Sequence, residues 1–182
     1  MADLIEIVFE THSWSTDNDR GVATGWHPGE LSDRGRQLAA ELGGRRRADR
    51  IDTVFSSDLR RAAQTAQIAF AGSAVPILYD WRLRECDYGD LNGTPAETVH
   101  ASRRRFIDEA YPRGESWREA VNRATRFLAD LSPRWTGKRV LVIGHVSTRW
   151  ALDQALTGQS LETLIDSDFG WREGWEYRFS TG

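Results

Sequence analysis

The chain predicts an α/β fold: a three-layer α/β/α sandwich built on a mostly parallel sheet with an antiparallel edge strand. Two observations carry this. Short apolar runs at residues 5–9, 53–56, 75–78 and 139–143 alternate with stretches of helical spacing. That order lays parallel strands between covering helices. A last strand-like run at 175–179 ends the pattern and reads as the edge strand. The 182 residues are expected to form one domain, 1–182, long enough to bury a substantial core.

The first strand is carried by Ile5, Ile7, Val8 and Phe9. The polar, glycine-bearing stretch 13–30 reads as an ordered loop over a site. Ser32 is a candidate cap for a helix over 33–47, with Leu38 and Leu42 on one face and Ala39 beside them. Arg45, Arg46 and Arg47 then fall in its last turn, where cations suit the helix dipole, and read as a solvated helix end. Residues 53–56 form a short strand. Residues 58–70 have helical spacing, with Leu59, Ala62, Ala66 and Ala69 inward. Pro76 marks the third strand as an edge or a strand start. Residues 80–93 read as a second site-like loop, and helices follow around 95–107 and 116–131. Ser116 and Glu119 give the latter a capping-box pattern. Residues 139–143 are a buried strand and 147–156 a helix. The segment 169–179, with Trp171 and Trp175, fits either a core strand or a contact surface.

A net charge of −3 and a pI near 5.8 argue against general nucleic-acid or anionic-membrane binding. Lys138 is the only lysine, so positive charge is almost all arginine. That is an ordinary compositional bias, or in part a supply of guanidinium forks for phosphate. The single cysteine, Cys86, allows no internal disulfide and fits a reducing compartment. With no apolar stretch long enough to span a bilayer and no secretion signal at the amino terminus, the sequence predicts a soluble cytoplasmic protein.

Chemistry is expected at the strand ends, where open α/β sheets place it. His12 follows the first strand and His145 the fourth, while Arg61 opens the helix after the second. Cleaving a phosphate ester needs a nucleophile, fixed donors for the equatorial oxygens and an acid for the leaving oxygen. Neutral imidazole is a competent nucleophile near pH 7, and His12 is the candidate. A protonated His145 and Arg61 are candidates to hold the phosphoryl group. Glu85 is the candidate acid, expected to stay protonated through partial burial in its loop. Singly, each has a plainer reading: a structural histidine, a helix-start arginine, a solvated loop carboxylate.

In combination the residues resemble the histidine phosphatase superfamily, the phosphoglycerate mutase-like fold. Thr11-His12-Ser13-Trp14-Ser15-Thr16-Asp17-Asn18 stands where that family has Arg-His-Gly-Glu-Thr, two residues, then Asn. Gly25-Trp26, Leu31-Ser32 and Gly35 fit the continuation. Ser57-Asp58-Leu59-Arg60-Arg61-Ala62-Ala63-Gln64-Thr65-Ala66 is similar to its second arginine motif. Leu83-Arg84-Glu85-Cys86-Asp87-Tyr88-Gly89 is similar to its acid loop, Gly114-Glu115-Ser116 to an element before a helix, and Val140-Leu141-Val142-Ile143-Gly144-His145 to its second-histidine strand. The resemblance covers nearly the whole chain. It implies that His12 is phosphorylated and then hydrolysed, that Arg61, His145 and Asn18 contact the phosphoryl group, and that Glu85 is proton donor and later base. It implies no metal and no cofactor. The other histidines, His27 and His100, have no Cys or His partner at metal-ligand spacing.

The first motif departs from the pattern. Thr11 replaces an arginine of the phosphate clamp, Ser13 a glycine and Trp14 a glutamate. Such a charged contact is worth on the order of 2–4 kcal/mol in the transition state, and Thr11 offers one neutral hydroxyl. Arg20, Arg84 and Arg149 are candidates to fill the gap. Val146 replaces a glycine common after the second histidine. Val22 stands where mutase members carry an arginine for a substrate carboxylate, which favours a phosphatase over a mutase. Trp14, Trp26, Trp81 and Tyr88 lie in the loops expected around the site; they either pack those loops onto the core or form an apolar pocket for a ring-bearing ester. The expected substrate-binding set is Thr11, Ser13, Trp14, Ser15, Asn18, Tyr88 and Val146. Three readings follow: a metal-independent phosphatase of a small phosphate monoester, a non-catalytic module that binds a phospho-ligand or a protein, and, with least support, a phosphoglycerate-type mutase.

Overall fold

The computed structural model describes residues 4–167 and 169–180. Five strands, β1 (Leu4–Thr11), β2 (Thr53–Ser56), β3 (Ile77–Tyr79), β4 (Arg139–Gly144) and β5 (Trp175–Ser180), form one sheet in the order β3-β2-β4-β1-β5. β1, β2, β3 and β4 pair in parallel, and β5 runs antiparallel along β1 as the edge. The expected mixed sheet is therefore present. Pro76 stands just before β3, the opposite edge, where a missing N–H breaks no inner ladder.

Alternation along the strands divides the core into two faces. Val8, Val54, Leu141 and Ile143 pack with Leu42, Ala62, Ala66 and Ala69 of α2 (Asp33–Arg46) and α3 (Arg60–Ala69). Ile5, Ile7, Phe9, Val140 and Val142 pack with Phe127, Leu128, Leu131 and Leu152 of α5 (Trp117–Trp135) and α6 (Val146–Thr157). Beyond the sheet, Trp117 and Trp150 centre a further apolar cluster that takes in Tyr88, Val99, Phe106 and Tyr111. That cluster anchors the 86–111 segment.

Most of the predicted elements appear with shifted ends. The 13–30 stretch contains a one-turn helix, α1 (Thr16–Asp19), capped by Ser15. The helix expected over 95–107 is only α4 (Ala96–Ser102), because Arg103 to Glu109 turn so that Phe106 and Ile107 can be buried. Ser116 and Glu119 do form the capping box of α5. A short α7 (Leu161–Leu164) completes the helices among the described residues. No helix among them is long and apolar enough to cross a membrane.

One expectation about α2 is corrected, that of its last turn. Its buried side is Gly35, Ala39, Leu42 and Gly43, while Leu38, one turn before Leu42, is half-buried. Glycine at 35 is required, because a Cβ there would collide with the Trp14 carbonyl. The helix end is not simply solvated. Arg46 Nε donates at 2.8 Å to Glu10 Oε1, a carboxylate 1 % exposed on β1, and Arg45 lies 3.9 Å from the same oxygen. Burial pushes the Glu10 carboxyl up, against the pull of Arg46 and Arg45.

Candidate active site

Strand register assembles the site. Thr11 pairs with Gly144 and Ser56 with Ile143, so three adjacent strands end level. The His12 N–H donates to Gly144 O at 2.9 Å and the Ser57 N–H to Ile143 O at 3.0 Å, which continues the ladder by one residue. The two imidazole centroids then lie 5.1 Å apart.

Each ring has a tautomer dictated by its neighbours. His12 Nδ1 sits 2.7 Å from Ser13 O, which only accepts. Nδ1 therefore carries the hydrogen and Nε2 keeps its lone pair. Burial, and then the Arg61 charge, lower the His12 pKa to about 3, so the ring is neutral. His145 Nδ1 lies 3.3 Å from Arg61 Nη2, which only donates, so its Nε2–H donates to Ser57 Oγ at 2.9 Å. Burial and then Arg61 push His145 well below the ordinary histidine range. Beside a buried guanidinium a second cation is disfavoured; the expected protonated His145 is one that faces a phosphoryl group.

Arg61 is 2 % exposed. Its Nη2 also donates to Gly25 O at 3.0 Å. Gly25 has φ +52°, and a Cβ there would strike Asn92, so only glycine brings that carbonyl to the guanidinium. Arg61 Nη1 is buried and has no hydrogen-bond partner.

Glu85 lines the same cavity as both histidines. Its carboxylate accepts from the Cys86 N–H at 2.9 Å and from the Val146 and Ser147 N–H groups at 3.2 Å. The last two are the opening amides of α6, so the carboxylate docks on the positive end of a helix. The sequence expected this acid to be partly buried in its loop; it is 7 % exposed, and backbone amides hold it. The loop behind it is fixed by Arg123 of α5, which is 5 % exposed. Arg123 donates to the carbonyls of Arg82, Arg84 and Glu85 and makes a two-pronged contact with Glu115. Nothing local in the sequence marked Arg123. It lies one helical turn past Glu119 of the capping box, and its role appears only once α5 packs under the acid loop.

The cavity, about 470 Å³, is lined by Thr11, Ser13, Trp14, Asn18 and Val146 as well as by His12, Glu85 and His145. Ser13 is already engaged: its hydroxyl donates to Gly35 O at 2.7 Å and its N–H to Thr65 Oγ1 at 2.9 Å. Asn18 Oδ1 accepts from the N–H and hydroxyl of Ser15, which leaves its NH₂ group to serve a ligand. Ser15 is fully buried as the α1 cap and does not reach the cavity. Nor does Tyr88, which packs on Tyr111 and Trp117 in the core. Trp26 donates to Glu85 O at 2.6 Å and supports the acid loop, and Trp81 is exposed away from the cavity. Of the four aromatics singled out in the sequence, only Trp14 lines the site.

The three arginines considered as replacements for a cation at position 11 are engaged elsewhere. Arg20 pairs with Asp17, Arg84 makes a two-pronged pair with Asp58, and Arg149 pairs with Asp153 and stacks over Trp175. None lines the cavity. The arginines that do are Arg34 and Arg45 of α2, on the helix face that also presents Leu38, Glu41 and Leu42, while Phe169, Trp171 and Glu173 form the opposite wall. Sequence reasoning did not assign these residues to a site. Among the described residues, no group of three or more His, Cys, Asp or Glu side chains is arranged to hold a metal ion.

A family model described as "Histidine phosphatase superfamily (branch 1)" matches residues 7–170. Among curated relatives, a 2,3-bisphosphoglycerate-dependent phosphoglycerate mutase of Mesorhizobium japonicum is 33% identical over 180 residues, covering 90% of this chain and 87% of that one. The corresponding mutase of Haemophilus influenzae is 29% identical, covering 89% of each. Among solved structures, Bacillus stearothermophilus YhfR is 26% identical with a TM-score of 0.81, covering 93% of this chain and 88% of that one. A mycobacterial glucosyl-3-phosphoglycerate phosphatase in complex with VO3 is 25% identical with a TM-score of 0.76, covering 89% and 85%.

Proposed function

The chain belongs to the histidine phosphatase superfamily, and from that premise we propose that it is a metal-independent phosphatase, hydrolysing a small phosphate monoester through a phosphohistidine on His12. One observation carries this reading: Arg61 is buried with an unpartnered Nη1, its Nη2 lies 3.3 Å from His145 Nδ1, and the His145 ring lies 5.1 Å from that of His12. A buried guanidinium N–H without an acceptor is costly, and a phosphoryl oxygen supplies one.

The steps follow from the placements. His12 Nε2 attacks phosphorus and forms the N–P bond as the ester P–O bond breaks. Arg61, the Asn18 amide and His145 receive the equatorial oxygens. The incoming dianion reverses the electrostatics that keep His145 neutral, so protonation accompanies binding. Glu85, in its acid form, delivers a proton to the leaving oxygen, then as carboxylate takes one from the water that cleaves the N–P bond. Inorganic phosphate and free His12 result.

The mutase reading draws on the names of the sequence relatives. It needs a place for a phosphoglycerate carboxylate. Val22, where mutases carry an arginine, bridges to Pro95 and does not line the cavity. The test is a trapping experiment: incubate with a panel of phosphate monoesters, quench, and locate acid-labile phosphate by mass spectrometry. Phosphate on His12, release of inorganic phosphate and loss of turnover to background in His12→Ala are expected. Transfer to added phosphoglycerate in preference to water would establish the mutase. Binding with no phosphoenzyme across the panel would establish the non-catalytic module.

A further inference from the structure

We propose that the face of α2 and the 169–173 wall form the subsite for the substrate's organic group, and that this group is uncharged and apolar, of the size of an aromatic ring or two. The proposal rests on the phosphomonoester reading above and deepens it.

The subsite is continuous with the nucleophile, since one cavity runs from Glu85 and His12 past Thr11 to Trp171. Its α2 side is a single helical stripe. Leu38 and Leu42 lie one turn apart, flanked by Arg34 a turn earlier and Arg45 a turn later. Leu38 is turned from the core that Ala39 and Leu42 enter and is spent on the cavity instead. Phe169 and Trp171 line the same cavity. Trp14 and Trp171 are 39% and 61% exposed, so two indoles at the cavity present apolar surface to water. Covering such surface is favourable, and cavities of this volume are typical small-molecule sites.

The charges of the subsite balance, which gives a second anion on the substrate no net attraction. Arg45 is neutralised by Glu10 at 3.9 Å and Glu173 at 3.6 Å. The Arg34 guanidinium lies over the Trp14 ring at 5.0 Å. Against these two cations the lining sets Glu41 and Glu173, while Glu85 stands at the reacting end. Away from Arg61, a carboxylate-bearing phosphate meets Glu41 and Glu173 as well as the Arg34 guanidinium. Thr11 adds a hydroxyl at the place where an arginine would have added charge.

The experiment compares kcat/KM for phenyl and 1-naphthyl phosphate with that for glycerol phosphate and 3-phosphoglycerate, using the full chain. The aryl esters are expected to lead. Trp171→Ala, a change at an exposed side chain, and Leu38→Glu are each expected to cut the aryl-over-glycerol ratio about tenfold, through KM. Trp81→Ala, at an exposed indole away from the cavity, is the control and leaves the ratio unchanged. An equal fall for all esters, or an unaltered ratio in both variants, overturns the subsite while leaving the phosphatase reading intact. A second arm needs no turnover: binding of 1-naphthyl phosphate to His12→Ala protein by calorimetry, expected to weaken about tenfold on adding Trp171→Ala. Equal affinity there overturns the subsite even if no phosphoenzyme forms.

Discussion

Position 11 sets the character of this site. Thr11 lines the cavity beside His12, and Arg20, Arg84 and Arg149 are all committed to carboxylates elsewhere. On the proposed reading one buried guanidinium, that of Arg61 against His145, serves the phosphoryl group where the family pattern supplies two. Thr11→Arg is expected to raise kcat/KM on a small ester such as glycerol phosphate by roughly 10², read from initial rates. A fall instead would show that the threonine hydroxyl itself positions substrate. At this scale the sequence was legible where chemistry and position coincide: His12 and His145 stand at strand ends, Arg61 in the first turn of α3, and Glu85 in a polar loop. It was not legible for Leu38. A leucine one turn from Leu42 carries the same helical pattern whether it faces a core or a cavity, and the contacts that seat α2, Gly35 on the Trp14 backbone and Gly43 on Ala69 of α3, are long-range.

Among the elements, α2 and β1 are joined through a buried ion pair, and that pair also holds the far wall of the cavity. Glu10 sits two residues before the nucleophile. Arg46 reaches from it to the Glu173 carbonyl at 3.1 Å, and Arg45 reaches from it to the Glu173 carboxylate. Removing Glu10 leaves two arginines at the helix end facing the space it neutralised. Glu10→Ala is expected to cost about 3 kcal/mol in urea unfolding and to raise KM for aryl esters, because the 169–173 wall loses its tether. Stability within about 0.5 kcal/mol of wild type would show that Arg46 is satisfied by Asp49 alone. The three arginines 45–47 read as a solvated helix end because a helical pattern gives no account of what lies beneath its last turn. The partner, Glu10, stands near the end of β1 with no sequence signal to mark it. Capping, by contrast, was local and was read correctly at Ser32 and Ser116.

For the whole molecule, the order of apolar runs and helical stretches foretold the sandwich, and the late run with no following helix foretold the antiparallel edge. Register and loop packing were beyond it, because they depend on contacts such as Arg123 under the acid loop that join residues 38 or more positions apart. The same long-range packing buries His145, and that makes a site residue into a determinant of global stability. In the folded protein, burial and Arg61 hold its pKa well below 6.5, whereas in the unfolded chain it returns to about 6.5. Above pH 6.5 neither state binds the proton and the ring costs nothing. As pH falls below 6.5 the unfolded state gains a proton that the folded state refuses, so stability declines. Between pH 6.5 and 5 the loss from this one group is roughly 2 kcal/mol. Replacing it by glutamine, which keeps a donor for Ser57 and an acceptor for Arg61, removes the titration and spares the geometry. Urea unfolding at pH 7.5 and pH 5 is therefore expected to show a pH penalty about 2 kcal/mol smaller in His145→Gln than in wild type. Sulfate, a dianion that does not itself titrate in this range, should shrink the wild-type penalty when bound, because an anion against Arg61 lets His145 accept its proton in the folded state. An identical pH penalty in variant and wild type would mean that His145 is already charged in the folded protein, and that Arg61 and His145 are held apart by something other than a neutral ring.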